Sequence, residues 1–162
     1  RFFVSLGGVD PRRTNRWGCN ALLWACIRPR EDEHENENDR GDGRPSETRS
    51  VLATVRWLVD ELDVPVDVVN VNGHGAIHKC AIYGHGDVID WLIDRDDARV
   101  AAGDPKRPAL LDAAHFAPDD RNSAPSYLAA ANGHVALSAT LRRLEDRRSR
   151  VPAVYDGGET RA

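Results

Sequence analysis

The chain spells one phrase three times, and a repeated turn–helix–helix unit buries its apolar faces only by stacking on its neighbours. The middle copy is the clearest. It runs Asn70-Val71-Asn72-Gly73-His74-Gly75-Ala76-Ile77-His78-Lys79-Cys80-Ala81-Ile82-Tyr83-Gly84-His85, followed by Val88-Ile89-Asp90-Trp91-Leu92-Ile93. An earlier copy begins Asn15-Arg16-Trp17-Gly18-Cys19-Asn20-Ala21-Leu22 and, after an interruption, finishes in Val55-Arg56-Trp57-Leu58-Val59. A later copy reads Arg121-Asn122-Ser123-Ala124-Pro125-Ser126-Tyr127-Leu128-Ala129-Ala130-Ala131-Asn132-Gly133-His134, then Leu137 to Leu144. A preformed stack of this kind offers a binding surface.

Each copy has the same punctuation. Gly73 and Gly18 stand where a tight turn needs positive φ, and Asn122, the next-best residue for that conformation, stands there in the third copy. Short segments rich in small and apolar residues follow: Ala21 to Cys26, Ala76 to Ile82 and Pro125 to Ala131. Their pattern predicts a first helix, with Pro125 suited to a first turn and Gly84 and Gly133 to the stop. A second helix is predicted from apolar residues at helical spacing: Val51, Leu52, Val55, Leu58, Val59 and Leu62, then Val88, Ile89, Leu92 and Ile93. Trp57 and Trp91 hold equivalent places in it, 34 residues apart.

The pattern resembles the ankyrin repeat, whose motif Gly-x-Thr-Pro-Leu-His-x-Ala-Ala-x-x-Gly-His recurs about every 33 residues. Gly73 to His85 match it at the first Gly, at His78, at Ala81 and at the closing Gly84-His85, with Ile77 for Leu. Gly75-Ala76 replaces Thr-Pro, so the hydroxyl that ties the hairpin to the helix is absent. Copy one keeps Gly18, Leu22 and Ala25 but has Leu23 in the His place; copy three keeps Pro125, Leu128-Ala129-Ala130 and Gly133-His134, with Tyr127 in that place. Gly8-Val9-Asp10 resembles the family's turn between repeats, and Phe2, Phe3, Val4 and Leu6 the end of an upstream second helix. The resemblance implies an all-α ankyrin-repeat solenoid. It also implies that His78, His85 and His134 are structural, tying adjacent repeats through backbone hydrogen bonds.

The copies are unevenly spaced. Gly18 to Gly73 is 55 residues and Gly84 to Gly133 is 49. The expected organisation is a repeat domain over residues 1–146, opening with a partial repeat at 1–13. A first repeat at 14–69 holds a disordered acidic insertion at 27–49, because a stretch such as Glu31 to Asp42 has no apolar side chain to offset its ordering entropy. A second repeat spans 70–94; an insertion at 95–118 carries a turn at Gly103-Asp104-Pro105 and a short helix built from Leu110, Leu111, Ala113, Ala114 and Phe116. A third repeat at 119–146 precedes a flexible tail at 147–162.

The chemistry-bearing residues favour binding over catalysis. A net charge of -4 argues against a nucleic-acid binder driven by bulk charge, and no apolar run is long enough to span a membrane. The chain does not begin with Met and shows no signal peptide, so it reads as a fragment of an intracellular protein, cytoplasmic or nuclear. Cys19, Cys26 and Cys80 are too few and too scattered for a disulfide framework or a zinc site, and read as small buried thiols in a reducing compartment. The acidic stretch lacks the ligand spacing of a calcium loop and reads as a solvated linker. Arg142-Arg143, Arg147-Arg148 and Arg150 read as a solvated helix end favourable to the dipole, with a nuclear-localisation or anionic-surface role as the sharper alternative. No phosphate loop, nucleophile elbow or metalloprotease motif is present. The expectation is therefore no enzyme, no cofactor and no metal.

The resemblance also implies where a partner protein binds: at hairpin tips and the exposed face of each first helix. By position these are Arg16, Trp17, Cys19, Ile27 and Arg28; Val71, Asn72, His74, Ile82 and Tyr83; and Asp120, Arg121, Ser123, Ala131 and Asn132. Trp, Tyr and Arg usually dominate interface energies, which singles out Trp17, Tyr83, Arg16 and Arg28. The bland alternative is that Trp17 and Ile82 pack against the insertions. A second functional reading is a regulatory or structural ankyrin segment of a larger, enzymatic protein.

Overall fold

A computed structural model describes residues 8, 10–28, 50–103, 111 and 113–149 of the 162. Every regular element among the described residues is helical. They are α1 (Ala21–Ala25), α2 (Val51–Arg56) running on into a π-helical turn (Trp57–Glu61), α3 (Ala76–Tyr83), α4 (Gly86–Ala102), a 3-10 turn (Ala113–His115), α5 (Pro125–Ala131) and α6 (Val135–Ser149). Helices pair as α1 with α2, α3 with α4 and α5 with α6. Between pairs, α1 lies on α3 and α3 on α5, while α2 lies beside α4. This is the expected all-α repeat stack.

The middle repeat is buried from both sides. Ala76, Ile77, Cys80 and Ala81 on α3 and Val88, Ile89 and Leu92 on α4 are all fully buried. Small side chains on the first helices, Ala25, Ala81 and Ala129, let the row close up, and the branched residues fill what remains. Each buried Ile or Leu contributes about 1.5–3 kcal/mol by leaving water. Cys26 and Cys80 are free thiols within this core, and Cys19 is half-buried. Burial first, and a hydrogen bond with Cys26 second, push the Cys80 thiol well up, so it stays protonated.

The helix starts differ from copy to copy. Asn20 caps α1: its side-chain oxygen accepts the Leu23 N–H at 3.1 Å while its amide donates to the Pro65 carbonyl at 2.8 Å. Gly75 and Ala124 offer α3 and α5 no side-chain cap. For α5 the deficit is met from α6, where the Glu145 carboxylate accepts both the N–H and the hydroxyl of Ser126 at 2.7 Å. The stop of α3 is Gly84, at φ +74°, and a Cβ there would lie 2.6 Å from Cε1 of the His134 ring. Glycine is required both for its dihedral and for the space.

The second helix of the first repeat ends in the π-helical turn. Trp57 opens it, and the Val64 N–H closes back on the Leu58 carbonyl at 3.0 Å. A π-helical turn takes one residue more than an α-helical one. Trp57 and Trp91 lie 34 residues apart, with this turn between them.

Three features depart from the sequence reading. Helix α4 runs on to Ala102, into the segment expected as an insertion, and ends at Gly103 with φ +61°. Asp96, on this extension, is fully buried, and its carboxylate accepts the Leu111 N–H at 3.1 Å. Where a short helix was expected, Ala113–His115 makes one 3-10 turn, with Leu111 and Phe116 buried on either side. Helix α6 continues to Ser149, beyond the expected start of the tail. The upstream helix end at Phe2 to Leu6, Val9, the acidic stretch at 29–49, the residues Asp104, Pro105 and Leu110, and residues 150–162 lie outside the described residues.

Candidate partner-binding surface

Three hairpins precede the three first helices, and each is folded by the side chain that opens it. The Asn15 side-chain oxygen accepts the Trp17 and Cys19 N–H groups at 2.9 and 3.1 Å. Asn70 accepts those of Asn72 and His74 at 3.0 and 2.9 Å. Asp119 accepts those of Arg121 and Ser123 at 3.0 and 2.8 Å. An Asn or Asp side chain mimicking a turn in this way is a recurrent local motif. The carbonyls of the same three residues accept the N–H of Gly18, Gly73 and Asn122, at 2.9 Å each.

The hairpins are then tied into one ribbon. The Val71 N–H donates to the Trp17 carbonyl at 3.0 Å, and the equivalent Asp120 N–H donates to the Asn72 carbonyl at 3.2 Å. The approach is close: a Cβ on Gly18 would lie 3.2 Å from the Asn70 Cα, and one on Gly73 3.2 Å from the Asp119 Cα. Asn122, at φ +62°, has no further described hairpin against it, so a side chain is tolerated there.

This ribbon brings Arg16, Trp17, Val71, Asn72, Asp120 and Arg121 to one edge, all exposed. Trp17 is 49% exposed and Val71 66%, and the Arg16 guanidinium lies 4.1 Å above the centre of the Trp17 ring. The other expected residues are more engaged. Ile27, Ile82 and Tyr83 are half-buried, as are Cys19 and Ser123. Arg28, Ala131 and Asn132 are exposed, and the Asn132 amide donates to the Leu128 carbonyl at 2.8 Å.

His74 is held between repeats: its Nε2 donates to the Asp119 carboxylate at 2.9 Å, and its Nδ1 faces Lys79 Nζ at 3.3 Å. Burial draws the Asp119 carboxyl upward, but the hydrogen bonds from His74, Ser123 and Arg121 outweigh it and leave the pKa lowered. Asp119 thus folds the third hairpin with one oxygen and binds the second with the other.

His78, His85 and His134 are all ties to backbone. His78 Nε2 donates to the Ala117 carbonyl at 2.9 Å, His85 Nε2 to that of Arg28 at 2.7 Å and His134 Nε2 to that of Ile82 at 3.2 Å. A carbonyl only accepts, so each ring carries its proton on Nε2. Burial is the main reason that the His78 pKa is lowered to about 4. Its Nδ1 is buried without a partner among the described residues. The fully buried His115 lies against Gly75: a Cβ there would stand 3.0 Å from its ring, whose Nε2 donates to the Val66 carbonyl at 3.3 Å.

Trp24 was not anticipated. It is 50% exposed on α1, at the place that Lys79 occupies on α3 and Leu128 on α5. Lys79 reaches the hairpin residue His74 from that place. Its fixed offset from Gly18 was the available signal.

Among the described residues no helix is long and apolar enough to cross a membrane. None of their His, Cys, Asp and Glu side chains gather in threes as a metal site would require. Residues 47–93 match the family model for ankyrin repeats (many copies). No curated protein matches the chain.

Proposed function

We propose that this chain, whose residues 47–93 match the ankyrin-repeat model, is a divergent ankyrin-repeat protein that acts without chemistry of its own, by binding another protein along the hairpin ribbon and the adjoining first-helix face. One observation supports the reading: the Val71–Trp17 backbone bond joins two hairpin residues whose apolar side chains are both exposed, and Trp24 on α1 is exposed as well. Apolar groups held rigid in solvent lose little entropy when a partner covers them. Arg16 and Arg28 at the margin give the partner's polar rim something to meet. His74 and Ser123 serve chiefly to hold the ribbon, and Val71, Asn72, Arg121 and Asn132 supply its solvent edge.

The experiment begins with a partner recovered by affinity capture on the intact chain, followed by titration of variants. Trp17→Ala and Trp24→Ala should each weaken binding at least tenfold, as hot-spot truncations do. Their urea midpoints should stay close to wild type, since both rings are half in water. Asp94→Ala, on α4, should bind normally. Undiminished binding by both tryptophan variants would sink the surface assignment.

A further inference from the structure

Charge is unevenly spread over this chain, and the hairpin edge is positive. The net charge is -4, yet the exposed carboxylates Asp60, Glu61, Asp90 and Asp94 stand on the second helices of the first two repeats. The edge carries Arg16 on its first hairpin and Arg121 on its third, both exposed, with Trp17 exposed on the first and Val71 on the second. Neither arginine makes an ion pair among the described residues. The Arg16 guanidinium lies 4.1 Å from the centre of the Trp17 ring, and such a contact leaves it N–H donors for a carboxylate. Asp119 is already engaged: one oxygen accepts the Arg121 and Ser123 N–H groups, the other His74. Asp120 is the exposed carboxylate that remains on the edge.

Granted the partner-binding surface proposed above, we infer that this edge takes an acidic protein segment, an extended stretch that lays apolar side chains on Trp17 and Val71 and sets one carboxylate on Arg16 and another on Arg121. A guanidinium meets a carboxylate through two parallel N–H···O bonds, so each arginine selects its acid by geometry as well as by charge. The apolar pair supplies the burial, and the arginines supply the charged rim that steers and orients the partner. The segment is extended because it must reach from the first hairpin across the second to the third, which the Val71–Trp17 and Asp120–Asn72 backbone bonds hold in one row. A nucleic-acid strand would meet two arginines on this edge with Asp120 beside them, too few phosphate contacts for a chain of net charge -4.

A library of random twelve-residue peptides displayed on phage, selected on the intact chain, tests the proposal. Enriched peptides should hold Asp or Glu on both sides of an aliphatic or aromatic residue, and Trp17→Ala should lose them while keeping its urea midpoint. With the strongest of them made as a synthetic peptide, Arg16→Gln and Arg121→Gln should each raise Kd about threefold, and raising salt to about 0.5 M should weaken binding at least fivefold. Asp120→Asn should instead lower Kd about twofold, a change of opposite sign that a merely structural role would not produce. Enriched peptides that Trp17→Ala loses but that carry no excess of acid overturn this inference and leave the surface assignment standing. Peptides that Trp17→Ala still binds, or a library that yields none, overturn both. Tighter binding of a single-stranded twenty-nucleotide RNA than of the acidic peptide, through the same arginines, assigns the edge to nucleic acid and equally overturns the proposal.

Discussion

Two glycines in equivalent places separate the cost of a backbone conformation from the cost of losing a tie between repeats. Gly84 and Gly133 both lie in the left-handed region, at φ +74° and +84°. Alanine at either place costs about 1 kcal/mol for the dihedral alone. Nothing lies within 4 Å of a Cβ on Gly133, whereas one on Gly84 would stand 2.6, 2.7 and 2.9 Å from three atoms of the His134 ring. That ring must swing away, which forfeits its hydrogen bond to Ile82 at about 1 kcal/mol and forces a poorer rotamer at about 1 more. Gly84→Ala should therefore cost about 3 kcal/mol and Gly133→Ala about 1. With a slope of about 2 kcal/mol per molar urea, the midpoints should fall by roughly 1.5 M and 0.5 M. A double-mutant cycle locates the excess: in a His134→Ala background, Gly84→Ala should cost only its dihedral share, a coupling of about 2 kcal/mol. Equal midpoint shifts for the two glycine variants, or no coupling with His134, would refute the reasoning.

Acid should weaken the fold through His78. An imidazole held near 4 in the native state and near 6.5 when exposed gives a chain that takes up its proton on unfolding. Its contribution is intact above about pH 6.5, declines as pH falls and stops declining below about 4, for a loss on the order of 3 kcal/mol. Urea midpoints across that window should show the decline, and His78→Gln, which keeps a donor but does not titrate, should flatten it. Asn70→Ala deprives two N–H groups of their acceptor and should cost about 2 kcal/mol, while Asn70→Asp should retain most of it. Chemical denaturation of both variants checks this, and equal losses would deny the side chain its turn-forming part. The Arg95–Asp60 ion pair, 2.6 Å long and a third exposed at each end, should contribute less than about 1 kcal/mol, so Asp60→Ala should barely move the thermal midpoint.

The glycines at the turns were legible because positive φ restricts the choice of residue, and the histidines because three repeat places carry them. Asn15, Asn70 and Asp119 went unnoticed although each does the same work, since a lone Asn or Asp in a loop looks like ordinary surface polarity. Their common distance from Gly18, Gly73 and Asn122 was the missed clue. The extension of α4 was hidden by Asp94, Arg95, Asp96 and Asp97, a charge cluster that breaks the apolar rhythm. Asp96 nonetheless goes inside, because the Leu111 backbone satisfies it there. His115 had no repeat place to announce it, and only the packing shows that it lies against Gly75. Of the surface, the exposed hairpin edge followed from the resemblance to the ankyrin repeat. The half-burial of Ile82 and Tyr83 did not, because it depends on how closely the next repeat approaches.

The π-helical turn at Trp57–Glu61 bears on how such a chain can change length. A copying slip that adds one residue to an α-helix would ordinarily rotate everything after it by a third of a turn and expose its buried side. A π-helical turn takes one residue more than an α-helical one, and beyond this one Val64 and Val66 lie in the core. The reverse slip, loss of the exposed Glu61, would restore a plain helix and leave the repeats in register. A helix that can widen one turn in this way can take a one-residue insertion without turning its later side chains out of the core.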